Sequence, residues 1–167
     1  FSIRKESKDH GVAGRLAGAL TVLANWASRP SNSLTRPVLE RIAGIHREAH
    51  LPRYHSKTFA RQAATEKPTI NREAPAVGRK AVLFATCFVN FNNPRIGDAA
   101  RRVLAYNGVE TEVIYPTCCG MPQLEQGDIA RVAENAKKTA AELGNWIDKG
   151  YDVVALVPSC ALMLKLE

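Results

Sequence analysis

From residue 80 onward, apolar positions alternate between two textures. Short continuous runs occur at 81–86 (AVLFAT), 110–115 (ETEVIY) and 152–157 (DVVALV). Such runs read as strands, the first of them buried on both faces. Between them apolar residues recur at helical spacing: Ile96, Ala99, Ala100, Val103 and Leu104, then Ile129, Val132, Ala133, Ala136, Ala140, Leu143 and Ile147. The first set predicts a helix from the turn at Asn92-Asn93-Pro94 to about residue 107, ended by Gly108; the second predicts one from Glu125 or Asp128 to Lys149, closed by Gly150. Strand, helix, strand, helix, strand is an α/β pattern, and a parallel sheet is its natural solution.

The pattern before residue 80 is helical and weaker. Residues 11–27 put Val12, Leu16, Ala19, Leu20, Leu23 and Trp26 on one broad face, interrupted by Gly14 and Gly18. This suits a helix packed on the rest of the protein, or one docked on a membrane-associated partner or lipid interface. A turn at 29–33 precedes a second helix with Thr35 as the expected cap, Pro37 in its first turn, and Val38, Leu39, Ile42 and Ile45 as its apolar side. Residues 58–64 suggest one short helical turn, and 66–79, with Pro68, Pro75 and Gly78, read as a linker. The expected organisation is therefore a helical connector over 1–65, a linker over 66–79 and an α/β unit over 80–167.

Charge follows the same division. Residues 1–80 carry fifteen Lys/Arg against six Asp/Glu, whereas 81–167 carry eight against ten. The basic first half suggests an acidic partner surface or an anionic membrane face. Its cations are scattered without interleaved aromatics, so nucleic acid is not an expected partner. No apolar run reaches the roughly 18 residues of a spanning helix. The first residue is Phe1 and the chain stops abruptly at Glu167, which reads as a piece of a longer protein. His46 and His50 are four apart, as two ligands on one helix face would be, but no carboxylate–cysteine set accompanies them.

Four cysteines are too sparse for a secreted disulfide scaffold and point to a reducing, cytoplasmic setting. Their positions are informative. Cys87, the adjacent pair Cys118–Cys119 and Cys160 each fall just past the end of an expected strand. In a parallel sheet those ends share one edge, where ligand sites of open α/β sheets form. Neighbouring thiols pair poorly with each other because disulfide geometry is narrow, but both can bind one polynuclear centre. Thiolates are the usual ligands of iron–sulfur clusters, and Gly120 leaves room for an inorganic core against the backbone. Buried free thiols, a zinc site without the Cys-x-x-Cys knuckle, and redox-active thiols are the other readings. No Gly-x-Gly-x-x-Gly follows the first strand, so a dinucleotide site has no support.

The stretches Cys87-Phe88-Val89-Asn90-Phe91-Asn92-Asn93-Pro94, Cys118-Cys119-Gly120-Met121-Pro122 and Pro158-Ser159-Cys160 resemble the cysteine-rich "CCG" domain family of iron–sulfur oxidoreductase subunits. That family includes the heterodisulfide reductase subunit lettered B and the iron–sulfur subunits of glycolate and lactate oxidases. Arg29-Pro30, Thr35-Arg36-Pro37 and the residues from Leu51-Pro52 to Phe59 are similar to the helical connector of another group in the family, the anaerobic glycerol-3-phosphate dehydrogenase subunits lettered C. The resemblance implies a Rossmann-like CCG half-domain that holds an iron–sulfur cluster, of 4Fe–4S type, through Cys87, Cys118, Cys119, Gly120 and Cys160. It also implies an electron-transfer subunit rather than a self-contained catalyst. Its partner would be a flavin-containing dehydrogenase subunit, at the inner face of the cell membrane or its anchor, with electrons passing toward quinone. A docking module that has lost the cluster and a heterodisulfide-reductase-like thiol redox protein are the alternatives. The reductase pattern ends in Cys-x-x-Cys, and here the last position is Met163, a poor thiolate substitute. That departure points away from disulfide cleavage.

Overall fold

The structure, a computed structural model, describes residues 20–165. Strands β1 (Lys80–Phe84), β2 (Glu110–Ile114) and β3 (Asp152–Ala155) form an all-parallel sheet in the order β2-β1-β3. The β1–β2 register runs from Lys80 opposite Glu110 to Phe84 opposite Ile114, and the β1–β3 register from Ala81 opposite Asp152 to Phe84 opposite Ala155. As the middle strand, β1 loses both faces to the core: Val82, Leu83, Phe84 and Ala85 are wholly buried, as its continuous apolar run requires.

Helix α4 (Pro94–Tyr106) connects β1 to β2, and α6 (Ile129–Ile147) connects β2 to β3. Ala100 and Leu104 of α4 pack on the face carrying Ala81, Leu83 and Ala85, while Leu143 and Trp146 of α6 pack on the face of Val82 and Ile114. The two crossovers travel in opposite directions along the sheet and lie on opposite faces, so they have the same hand. The ends of these helices follow local rules. Pro94 stands at the start of α4, and Gly108 turns the chain at φ +90° just beyond it. At the start of α6, Asp128 Oδ1 accepts from the Arg131 N–H at 3.2 Å.

The third strand stops two residues short of its expected end. Pro158 opens a short helix, α7 (Pro158–Lys165), in which Ala161 N–H donates to Val157 O at 3.0 Å. Proline has no N–H to lose at a helix start, so the chain turns helical there and Cys160 lies in a helical first turn rather than a loop.

Ahead of the sheet stand α1 (Thr21–Ala27), α2 (Thr35–Ala43) and α3 (Phe59–Thr65); the part of the first expected helix over 11–19 lies outside the described residues. Thr35 does not cap α2. Asn32 Oδ1 accepts from the Leu34 and Thr35 N–H groups at 3.2 and 3.1 Å, and Thr35 Oγ1 instead donates to Ala27 O at 2.7 Å, tying α1 to α2. Gly44 ends α2 at φ +67°. His46 and His50 therefore lie beyond the helix and share no helical face. The buried Arg36 guanidinium holds this following loop by donating to the carbonyls of Arg47, His46 and Ala49 at 2.6, 2.9 and 2.6 Å.

Residues 59–79 pack closely on the sheet unit. Phe59 and Ala63 belong to the same buried cluster as Leu83, Ala85 and Val89. Phe59 lies so close to α4 that a Cβ built on Gly97 would stand 2.5 Å from its ring. Over 66–79 the chain is a strap: Asn71 N–H donates to Ala105 O at 2.9 Å, Arg101 donates to Glu66 O at 2.8 Å, and Lys67 pairs with Glu112 at 2.9 Å. Among the described residues, no helix is long and apolar enough to cross a membrane.

The Gly97–Phe59 contact gives a test of this packing. In an open helix Gly→Ala stabilises by roughly 1 kcal/mol. Gly97→Ala is expected to destabilise by about 1–2 kcal/mol instead, because the added methyl meets the ring. A thermal melt reads the sign directly; a raised midpoint contradicts the seating of Phe59.

Candidate metal centre

β1 delivers Cys87 through Ala85 and Thr86. Cys87 opens a π-helical turn, Phe88–Asn92, a local irregularity that recurs at functional sites. Thr86 stabilises the turn from below. Its Oγ1 accepts from Val89 N–H at 3.2 Å and its carbonyl accepts from Asn90 N–H at 2.8 Å. From outside, the connector grips the same turn: His55 N–H donates to Phe91 O at 2.8 Å, Ala60 N–H to the buried Asn90 Oδ1 at 3.0 Å, and Asn92 Nδ2 to Arg53 O at 3.0 Å.

β2 delivers Tyr115 and then the Cys118–Cys119 pair. Gly120 follows at φ +97°, a backbone conformation closed to most side chains, and leads into α5 (Met121–Glu125). A Cβ at Gly120 would stand 3.4 Å from Met163 Cε. Met163, buried on α7, thus packs over the glycine. β3 delivers Cys160 on the first turn of α7.

The three strand ends bring all four thiols together as a row. Cys118 stands beside Cys87 and Cys119, close enough for both to shift its acidity, and the Cys119 thiol reaches Cys160 Sγ at 3.2 Å. All four are free thiols; Cys118 and Cys160 are buried and Cys87 and Cys119 half-buried. At one end of the row Cys87 Sγ lies 3.2 Å from the Tyr115 hydroxyl. In the middle, Cys118 Sγ lies 3.9 Å from Oε1 of the buried Gln123. The Phe91 and Tyr115 rings meet edge-on, with centroids 5.3 Å apart, and wall the Cys87 end.

These contacts unequalise the thiols. The hydrogen bond from Cys118, helped by Tyr115, lowers the Cys87 pKa against the opposing effect of burial. For Cys118 the hydrogen bond with Cys119 lowers the pKa, but the bond to Cys87 and burial together outweigh it and push the thiol up to about 11. The bond with Cys118 raises Cys119, and the bond with Cys119, then burial, raises Cys160.

The donor set suits a thiophilic iron–sulfur group: four thiols, none in a disulfide, with aromatic and amide groups beside them. Among the described residues, no three His, Cys, Asp or Glu side chains are grouped as one ion's ligands. Tyr115, Gln123 and the Arg53–Ala60 grip were not legible as site features in the sequence. Tyr115 reads as the last residue of a strand, and nothing marks Gln123 except its place five residues after Cys118.

The family model for the CCG cysteine-rich domain matches residues 81–165, just over half of the chain. The anaerobic glycerol-3-phosphate dehydrogenase subunit lettered C, of Escherichia coli (strain K12), is 25% identical over 134 residues, covering 79% of this chain and 33% of that protein. The fumarate reductase (CoM/CoB) subunit lettered B, of Methanothermobacter marburgensis, is 28% identical over 92 residues, covering 54% of this chain and 18% of that protein. The chain thus spans a third or less of the length of these relatives. No solved structure matches it significantly.

In the metal-free protein the unequal thiols should react in order. Iodoacetamide at pH 8 is expected to label Cys87 first, since it is half-buried and its thiolate is favoured. Cys118 and Cys160 should resist until the protein is denatured. Peptide mapping over time checks this, and equal rates at all four sites contradict the burial and hydrogen bonding described.

Proposed function

This chain belongs to the CCG cysteine-rich domain family, and from that premise we propose that Cys87, Cys118, Cys119 and Cys160 bind one iron–sulfur cluster, of 4Fe–4S type, in an electron-transfer subunit. The observation that carries the reading is the release of four free thiols from three parallel strand ends along one sheet edge, with the Cys119 and Cys160 sulfurs 3.2 Å apart. When bound, the cluster supplies one-electron redox chemistry; the protein supplies thiolates, position and exclusion of water. Gly120 keeps the backbone clear beside the pair, and Met163 fills the space over it without contributing a thiolate.

The relatives' names describe subunits of a dehydrogenase and a reductase, which supports a catalytic partner. We take it to be a flavin-containing dehydrogenase subunit whose electrons pass through this chain toward membrane quinone. A cytoplasmic position at the inner membrane face accords with the surface of α1 and α2, where Val22, Leu23, Leu34, Val38 and Ile42 are exposed in the basic half of the chain. In this reading 1–65 is the connector to the partner, 66–79 joins it to the cluster unit, and 80–167 holds the cluster.

The 3.2 Å approach of Cys119 and Cys160 sulfurs favours one alternative, a thiol redox protein. There, an external disulfide would accept the two electrons and two protons released as a Cys119–Cys160 bond forms.

Anaerobic purification followed by iron, acid-labile sulfide and thiol determination separates the two. The cluster reading expects iron and sulfide in near-equal amounts with visible absorbance, lost in Cys118→Ser/Cys119→Ser. A protein without iron after anaerobic reconstitution, which loses two titratable thiols to glutathione disulfide, sinks it in favour of the alternative.

A further inference from the structure

Two polar side chains at the thiol row belong to no ligand set. Tyr115 follows β2 directly and is held edge-on against Phe91, with its hydroxyl 3.2 Å from Cys87 Sγ. Gln123 stands on α5, is 2% exposed, and has its carboxamide 3.9 Å from Cys118 Sγ. Each is fixed by the fold: Tyr115 by ring packing, Gln123 by burial in a helix that Gly120 starts.

A cysteine that ligates iron is a thiolate and can no longer donate. The Tyr115 hydroxyl then becomes the donor in its contact. The Gln123 carboxamide carries N–H donors as well as its oxygen, and a thiolate accepts only from the N–H end. Hydrogen bonds donated to ligand sulfur withdraw electron density from it, stabilise the more negative reduced state and raise the reduction potential. In a largely buried site these contacts are screened less than in water.

We propose that Tyr115 and Gln123 are the positioning residues that set the potential of the centre, Tyr115 through Cys87 and Gln123 through Cys118. The inference rests on the cluster reading above and deepens it. Neither residue contributes a ligand, so removing its polar group leaves the iron in place while changing the ease of reduction. Tyr115→Phe is the cleaner variant, because it keeps the ring and its contact with Phe91.

The test is a redox titration, followed by visible absorbance, of the anaerobically purified full chain and of Tyr115→Phe and Gln123→Met. The expected result is a midpoint shifted to more negative potential in both variants, at unchanged iron and sulfide content. An unchanged midpoint in fully loaded Tyr115→Phe overturns the proposal while leaving the cluster reading intact; absence of iron from the unmutated protein overturns the reading itself. Should a variant load poorly, resonance Raman of the unmutated protein in H2O and D2O decides. Iron–sulfur stretching bands that move on deuteration support donated hydrogen bonds at the ligand sulfurs, and bands that stay fixed contradict them.

Discussion

Parallel pairing of β1 with both neighbours is the constraint on which the thiol row depends. Three strands running the same way must end along the same edge, and in this register Phe84 stands between Ile114 and Ala155. Within a few residues of that line each strand releases its cysteines. Residues separated by about thirty and forty positions in the chain become neighbours because each intervening helix returns the backbone to the same end of the sheet. The ladder is anchored by β1, whose buried side chains from Ala81 to Phe84 leave it no solvent-facing alternative.

The row is then refined by elements that contribute no sulfur. The π-helical turn after Cys87 is gripped by backbone and amide bonds from 53–60, and Phe59 of the same segment fixes α4 by occupying the space at Gly97. Gly120 and Met163 form a second such pair, a missing side chain matched to a packed one. Residues 53–60 are thus joined to the site mechanically.

Much of this was legible in sequence. The apolar runs of the three strands, the Pro94 and Gly108 boundaries of α4, and the cysteines past the strand ends follow from short-range rules. What was not legible depends on contacts between distant residues. Thr35 looks like a cap, but Asn32 reaches the same N–H groups from the preceding turn. Pro158 could have been seen as a helix start; the apolar continuation through Leu156 and Val157 concealed it. The segment 66–79 has the composition of a linker, yet its hydrogen bonds go to Ala105, Glu112 and Arg101, which no local pattern encodes. Tyr115 and Gln123 acquire meaning only once Cys87 and Cys118 are placed beside them.

Joint service of the four cysteines to a single centre is open to measurement. Native mass spectrometry of the anaerobically reconstituted protein, alkylated before and after the cluster is removed, measures this most directly. One cluster mass should be bound, with Cys87, Cys118, Cys119 and Cys160 all protected while it is present. They should become alkylatable together once it is gone and the chain is unfolded. A bound cluster that leaves any two of these thiols open to alkylation would contradict it.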